Sequence, residues 1–196
     1  MTTSESGEAD GSDPEYAVVL DYLPHGRPDD DRPQYKKPPL AYGIGESAFR
    51  LVELTLADDA DVGIGDRVVI EPADERESVD RLRDIDYGDL SNSAVSELDY
   101  VVEEIVEREE QRFVDFYNDA QPITLRLHQL NLLPGIGKKL RNNVLEERKR
   151  KPFESFAELE ERVSGLHNPK DVLVDRIIEE LRDDDLKYKT FVRREE

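Results

Sequence analysis

The sequence predicts an α+β protein in which a small antiparallel β-barrel is followed by an all-helical domain. Two patterns support this prediction. Residues 16–88 contain several short runs rich in β-branched and aromatic residues, with no helical pattern between them. Residues 89–183 instead repeat apolar side chains at the three- and four-residue spacing of amphipathic helices. The length of 196 residues is sufficient for one domain or two small ones.

The predicted barrel begins with a strand at Ala17–Leu23. A long polar loop then carries basic and aromatic residues as far as Pro39. The remaining strands are predicted at Leu40–Gly45, Phe49–Leu56, Arg67–Glu71 and Val79–Ile85. Short strands that follow one another without helices favour antiparallel pairing and closure of the sheet.

Three segments flank or join the two parts. Residues 1–15 are acidic and rich in small polar residues, and we expect a disordered tail there. Residues 89–120 are predicted to form an acidic connecting helix that Ser91 or Ser93 caps. Residues 184–196 are highly charged and are expected to form a tail or one short strand.

The helical domain is predicted to cover residues 121–183. Its first helix is expected to open at Pro122, because proline suits the first helical position, and to bury Leu127 and Leu130. A basic helix follows Gly137, and two further helices complete the domain. The helices therefore form two hairpins, each closed by a short turn that contains glycine.

The most informative segment is the turn Leu133–Gly137 and the basic helix that follows it. Its two glycines allow the backbone to turn tightly and another molecule to approach it closely. The N–H groups of the turn and of the first helical turn are unpaired donors that suit a phosphate oxygen. Lys138 and Lys139 strengthen this interpretation, because cations at a helix N-terminus oppose the helix dipole unless an anion lies there.

The charge around this turn is opposite to that of the whole chain. The chain carries a net charge of −20, whereas residues 121–153 hold eight basic residues against Glu146 and Glu147, a local charge of +6. A nucleic-acid backbone is the partner that best explains such a segment. The acidic residues elsewhere are typical of organisms with multimolar cytosolic salt, where a Debye length of about 3 Å weakens diffuse repulsion of phosphates.

The first hairpin resembles a helix-hairpin-helix motif, and residues 151–159 resemble the link to a second hairpin in paired helix-hairpin-helix domains. The resemblance covers residues 122–181. It implies that the hairpin backbone binds a phosphate and that basic side chains flank it. The implied backbone contacts are Gly135, Ile136 and Gly137, and the implied side chains are Lys138, Lys139 and Arg141.

Two neighbouring features leave alternatives open. Arg148, Lys149, Arg150 and Lys151 either extend the binding surface or form a solvated helix end, where cations are favoured by the dipole. The second hairpin, Gly165–Pro169, departs from the motif, because Pro169 has no N–H to donate. We expect this second hairpin to be structural.

The whole chain resembles an archaeal family known as domain of unknown function 655, which carries a label of RNA or nucleotide binding. The resemblance rests on residues 16–24, 44–46, 65–68 and 122–130 together with the hairpin. It implies a barrel of the oligonucleotide-binding type followed by paired helix-hairpin-helix units. The acidic composition suggests a haloarchaeal member.

A second candidate surface lies on the predicted barrel, where bases could stack on aromatic rings beside cations. Its residues are Arg27, Tyr35, Lys36, Lys37, Tyr42 and Arg50. The alternative is that these are ordinary surface residues and core tyrosines.

The sequence offers little support for catalysis, cofactors or metals. It has no cysteine, no phosphate-binding loop of the Walker type and no His-Glu-x-x-His pattern, and His25, His128 and His167 are scattered. No apolar run is long enough to span a membrane and no signal peptide is apparent, so a cytoplasmic protein is expected.

We therefore expect a non-enzymatic nucleic-acid-binding protein without a cofactor. RNA is favoured over DNA, and a setting in ribosome or rRNA metabolism is one guess. An adaptor that docks a ribosomal or transcription protein on the acidic helix at residues 93–118 is the first alternative. A metal-dependent nuclease is the second, because carboxylates distant in sequence can assemble such a site.

Overall fold

The computed structural model describes residues 13–194 as an α+β fold with a curled antiparallel sheet, a half-barrel, and five α-helices. The five strands are β1 (Glu15–Leu23), β2 (Leu40–Gly45), β3 (Leu51–Leu56), β4 (Arg67–Glu71) and β5 (Val79–Asp84). They are ordered β4-β1-β2-β3-β5, and all neighbours are antiparallel. The predicted strands are thus confirmed. The predicted acidic tail lies largely outside the described residues, and its last residue, Glu15, opens β1.

Both faces of the sheet are buried, so β1 shows five consecutive buried residues instead of a polar and apolar alternation. Ala17 and Val19 point into the curl of the sheet, where they join an apolar cluster with Leu54. Val18 and Leu20 belong to the cluster on the other face, which continues into the helices. The sheet therefore holds one core inside its curl and shares a second with the helical part.

The helices are α1 (Asn92–Arg108), α2 (Glu110–Asp119), α3 (Lys138–Arg150), α4 (Phe156–Arg162) and α5 (Pro169–Arg182). The predicted connecting helix is divided between α1 and α2 at Glu109. Ser91 caps α1, since its Oγ accepts the N–H of Ala94 at 3.1 Å. Leu98 and Ile105 of α1 lie in the core shared with the sheet, so this acidic helix is packed along one side.

The prediction that a helix opens at Pro122 is wrong. An isolated antiparallel bridge joins Pro122 to His128, and the residues between them form a tight turn. Thr124 explains the difference, because its Oγ1 accepts the N–H groups of residues 126 and 127 and so replaces helical bonds. The only helical part of this segment is a single 3-10 turn at Gln129–Leu132, in which Leu130 is buried as expected.

The C-terminal segment forms neither a free tail nor a strand as far as residue 194. It is held by Glu180, a fully buried residue of α5 whose Oε1 accepts the N–H groups of residues 190, 191 and 192 at 2.7, 2.9 and 3.2 Å. Arg176 donates to Glu180 Oε2 at 3.1 Å and to the carbonyl of Tyr188 at 2.6 Å. Phe191 then packs against Phe116, with ring centroids 4.9 Å apart and the ring planes tilted by 53°.

Candidate nucleic-acid interface

The turn between the 3-10 helix and α3 is anchored by two apolar side chains and exposes the residues between and after them. Leu133 and Ile136 are buried, whereas Pro134, Gly135 and Gly137 are exposed. The N–H of Ile136 donates to the carbonyl of Leu133 at 3.2 Å. The N–H of Ile136 thus closes the turn, at a position where the resemblance implies a backbone contact with phosphate.

The two glycine positions differ in whether their backbone conformation requires glycine. Gly135 has φ +78°, a conformation that side chains with a Cβ rarely adopt. Gly137 has φ −89° and ψ −167°, an extended conformation that any residue adopts, and a Cβ there would meet no atom within 4 Å. Nothing inside the described chain requires glycine at 137. Close approach of another molecule to the backbone is one use of glycine at such an exposed position.

Gly137 also leaves the start of α3 uncapped. It is the N-cap residue, and no side chain of the described residues accepts the N–H groups of the first turn. Serine, aspartate or asparagine at this position would satisfy one of those donors. The N–H groups of Gly135, Gly137, Lys138 and Lys139 have no acceptor among residues 13–194. The turn thus presents a row of open donors at the positive end of a helix dipole.

Lys138 and Lys139 lie on this same first turn of α3, and both are exposed. Neither has an ion-pair or hydrogen-bond partner within the described part of the chain, and the first turn contains no acidic residue. Two adjacent lysines therefore lack a carboxylate partner among residues 13–194, in a chain whose net charge is −20. They add positive charge where the helix dipole is already positive, and an anion at the turn would offset both.

The side chain of Asn131 ties the turn to its surroundings. Its Nδ2 donates to the carbonyl of Ile136 at 3.2 Å, and its Oδ1 accepts from the N–H of His128 at 3.2 Å and from Arg141 Nη1 at 3.1 Å. Arg141 is therefore held in the wall of the turn rather than extended into solvent. His128 is buried, and its Nδ1 accepts the N–H of Leu130 at 3.1 Å. Burial, with the charges of Arg148 and Arg141, lowers the pKa of His128.

Arg148 does not belong to an exposed basic cluster, so the four-residue run at 148–151 is not one surface. Its Nη1 donates to the carbonyls of Tyr117 and Ala120 at 3.1 and 2.9 Å, which satisfies the C-terminal end of α2. Burial lowers the pKa of its guanidinium. Arg150 pairs with Glu147 at 3.2 Å and Lys151 with Glu154 at 3.7 Å, whereas Lys149 is exposed and has no partner in residues 13–194.

The second hairpin has a similar turn in a different setting. Gly165 has φ +90°, and the N–H of Leu166 donates to the carbonyl of Val163 at 3.2 Å, as in the first hairpin. One further residue, Asn168, then precedes Pro169 at the start of α5 and adopts the left-handed conformation. Lys170, the cation of this helix start, is held by Glu103 and Glu107 of α1 at 3.0 and 2.5 Å. Its charge is neutralised inside the molecule.

The candidate residues on the sheet separate into two groups. Tyr42 and Arg50 are buried, so their side chains are not presented to a ligand at the surface as the other four are. Burial raises the pKa of Tyr42, and Arg50 pairs with Asp84 at 2.5 Å. The other four lie together at one open groove of about 520 Å³. These are Arg27, Tyr35, Lys36 and Lys37.

This groove is not uniformly basic. Arg27 is 3.3 Å from Glu53, and Asp30, Asp58 and Asp80 also line the groove. Tyr35 is 84% exposed, and Lys36 Nζ lies 5.8 Å from the centroid of its ring. An exposed ring beside a cation can stack on a base, but the acidic walls weaken attraction for phosphate.

Two further properties of residues 13–194 bear on the site. This part of the chain contains no group of three or more histidine, aspartate or glutamate side chains placed to share a metal ion. None of its helices combines the length and the apolar character needed to cross a bilayer.

Comparison with known proteins shows which family this chain represents. An uncharacterised protein of Methanocaldococcus jannaschii, MJ0038, is 45% identical over 180 residues, which cover 91% of this chain and 79% of that protein. The crystal structure of Af1531 from Archaeoglobus fulgidus is similar with a TM-score of 0.82 and 43% identity, covering 91% of this chain and 99% of the other. The model of the family described as protein of unknown function (DUF655) matches residues 13–193. The chain therefore belongs to the DUF655 family.

Proposed function

We propose that this protein binds RNA without catalysing its cleavage, and that it holds the phosphate backbone at the turn Leu133–Lys139. The observation that carries the proposal is the uncapped start of α3, where Gly137 has no internal reason to be glycine and two lysines have no partner in residues 13–194. Open N–H donors, a positive dipole end and adjacent cations are the three features of a phosphate site.

In this proposal the first hairpin binds phosphate and the second stabilises the fold. The first hairpin supplies a helix-hairpin-helix phosphate contact. The second, whose Lys170 is held by two glutamates of α1, supports the fold. One active hairpin suits a single strand or an irregular duplex better than it suits symmetric binding across a regular duplex.

The half-barrel supplies a second RNA surface in this proposal. We assign it to the oligonucleotide-binding type, with the groove at Arg27, Tyr35, Lys36 and Lys37 as its RNA surface. Stacking on the exposed Tyr35 ring is its main contribution, because acidic residues line the same groove. RNA rather than DNA, a haloarchaeal origin and a place near the ribosome rest on the family resemblance and the acidic composition.

The test compares crosslinking of the full chain to cellular RNA with that of Lys138→Gln/Lys139→Gln. A matched control, Arg182→Gln/Lys187→Gln, removes two exposed cations at and beyond the C-terminal end of α5. We expect RNA recovery to fall in the hairpin variant and to persist in the control, with the recovered RNA uncleaved in Mg²⁺. Equal recovery from all three proteins would place the RNA elsewhere. No RNA from the unmodified protein would overturn the proposal and favour docking of a protein.

A further inference from the structure

A turn at residues 122–128, closed by local hydrogen bonds, lies immediately before the hairpin in the chain. The N–H groups of Ile123 and Thr124 donate to the carbonyl of Leu127 at 2.8 and 3.0 Å, and Thr124 Oγ1 accepts the N–H groups of Arg126 and Leu127. The bridge between Pro122 and His128 closes its base. These bonds fix the backbone on both sides of residue 125, so the turn presents its tip in one orientation.

The tip of this turn carries a leucine in open water. Leu125 has a relative exposure of 107%, the highest among the exposed large apolar residues of the described chain. Isolated apolar residues are common on protein surfaces. Leu125 differs from most of them because its backbone is fixed by local hydrogen bonds and because an exposed cation, Arg126, follows it. The Arg126 side chain has no partner within residues 13–194.

The side chain of Asn131 connects the base of the turn to the hairpin. Asn131 accepts the N–H of His128 at the base of the turn and donates to the carbonyl of Ile136 in the hairpin. It also accepts from Arg141 of α3. The apolar tip, the open donors of the hairpin and the start of α3 are therefore parts of one braced unit.

We propose that Leu125 is a wedge that packs against a base next to the phosphate held by the hairpin. This inference rests on the proposed function and specifies its substrate, which is RNA with an unstacked or unpaired nucleotide. Arg126 and the lysines of α3 favour a polyanion as the molecule that covers the leucine. Apolar side chains beside phosphate-binding groups act in this way when they enter a base step and unstack it. A regular duplex offers no exposed base face at this site.

The test measures affinity and base unstacking separately. Two RNA stems of the same length are used, one fully paired and one with a single bulged nucleotide next to a 2-aminopurine. Burying a leucine side chain predicts a preference for the bulged stem of about tenfold or more, together with a rise in 2-aminopurine fluorescence. Leu125→Ala should bind the paired stem as the unmodified protein does and should lose both the preference and the fluorescence change. Ile64→Ala, at another exposed apolar residue, is the matched control and should retain both.

Other outcomes overturn the inference in distinguishable ways. Equal preference for the bulged stem in Leu125→Ala and the unmodified protein would remove the wedge and leave the hairpin proposal standing. Failure of the unmodified protein to bind either stem would remove both proposals. Sedimentation of the protein without RNA supplies the last test, because an oligomer that Leu125→Asp dissociates would show that a second copy of the chain covers this residue.

Discussion

Gly137→Asp tests the hairpin most directly, because the structure predicts that this change strengthens the fold and weakens binding together. The position is the N-cap of α3, has extended backbone angles and leaves room for a Cβ. A carboxylate there accepts an open N–H of the first turn and lies favourably at the positive end of the dipole. A bound phosphate would use the same donors, so the carboxylate competes with it and repels it.

The expected magnitudes follow from the geometry of the cap. Replacing glycine by a better N-cap residue contributes a few tenths of a kcal/mol, and the dipole adds about 0.3–1 kcal/mol. A gain of about 0.5–1 kcal/mol raises the Tm of a chain of this size by roughly 1–4 °C. Affinity for RNA should fall at least about tenfold, which is about 1.4 kcal/mol.

Thermal unfolding by circular dichroism and fluorescence anisotropy with a labelled single-stranded RNA measure the two effects. Gly88→Asp is the charge-matched control, because a Cβ there also meets no atom within 4 Å. Gly137→Ser caps the helix without adding charge and should lose less affinity than the aspartate variant. Unchanged RNA affinity in Gly137→Asp would refute the assignment of the phosphate to this turn, and a lower Tm would refute the cap geometry.

Three further predictions concern buried or half-buried polar residues that hold the fold together near the hairpin or at the C-terminal segment. Arg148→Met should lower the free energy of unfolding by about 1.5–3 kcal/mol, because two carbonyls of α2 lose a charged donor, and should leave the salt dependence of RNA binding unchanged. Glu180→Gln should lower the free energy of unfolding by about 3 kcal/mol and should speed hydrogen exchange of the amides at 190–192. Glu179→Gln, at an exposed residue, is its control and should change the free energy of unfolding by under about 1 kcal/mol. His128 has a lowered pKa, so the folded state binds fewer protons than the unfolded state and stability should fall as pH drops below about 6.5. Thermal unfolding across that pH range should show a smaller fall in His128→Asn, which retains a capping oxygen.

The sequence predicts the strands well because each apolar run has strong β propensity and ends at a turn. It does not reveal that both faces of β1 are covered, since a continuous apolar run fits a buried strand and a buried helix segment equally. The proline and the leucine spacing of the segment after Pro122 predict a helix, whereas the structure has a turn there. The hydroxyl of Thr124 gives the backbone a competing local bond, and such competition leaves no periodic signal.

In the candidate site, too, the features set by neighbouring residues are predicted from the sequence, and those set by distant partners are not. Local signals predict the turn, its glycines and the lysines at the helix start, because those features depend on adjacent residues. The roles of Arg148 and Lys170 depend on partners in other helices. Arg148 donates to carbonyls 28 and 31 positions away, and Lys170 pairs with carboxylates 63 and 67 positions away. A count of basic residues along the chain therefore overestimates the charge that a ligand meets.

The salt dependence of RNA affinity tests how many basic side chains are available to a ligand. Arg126, Lys138, Lys139 and Lys149 are the basic side chains of residues 121–153 that are exposed and have no partner within the described residues. If each neutralises one phosphate of a single strand, the logarithm of affinity falls with the logarithm of KCl concentration with a slope of about −2.8, and Lys138→Gln/Lys139→Gln flattens it by about 1.4. A slope steeper than about −4 would show that cations elsewhere, such as those of the Arg27 groove, contact phosphate.

A slope of that size also determines which contacts matter most in concentrated salt. It corresponds to a loss of several hundredfold in affinity for each tenfold rise in salt, so ion pairing alone cannot sustain binding there. Hydrogen bonds from the open N–H groups and apolar contact with a base are much less sensitive to screening. If the acidic composition does reflect a multimolar cytosol, we expect the uncapped Gly137 and the exposed Leu125 to contribute more of the proposed RNA affinity than the lysines.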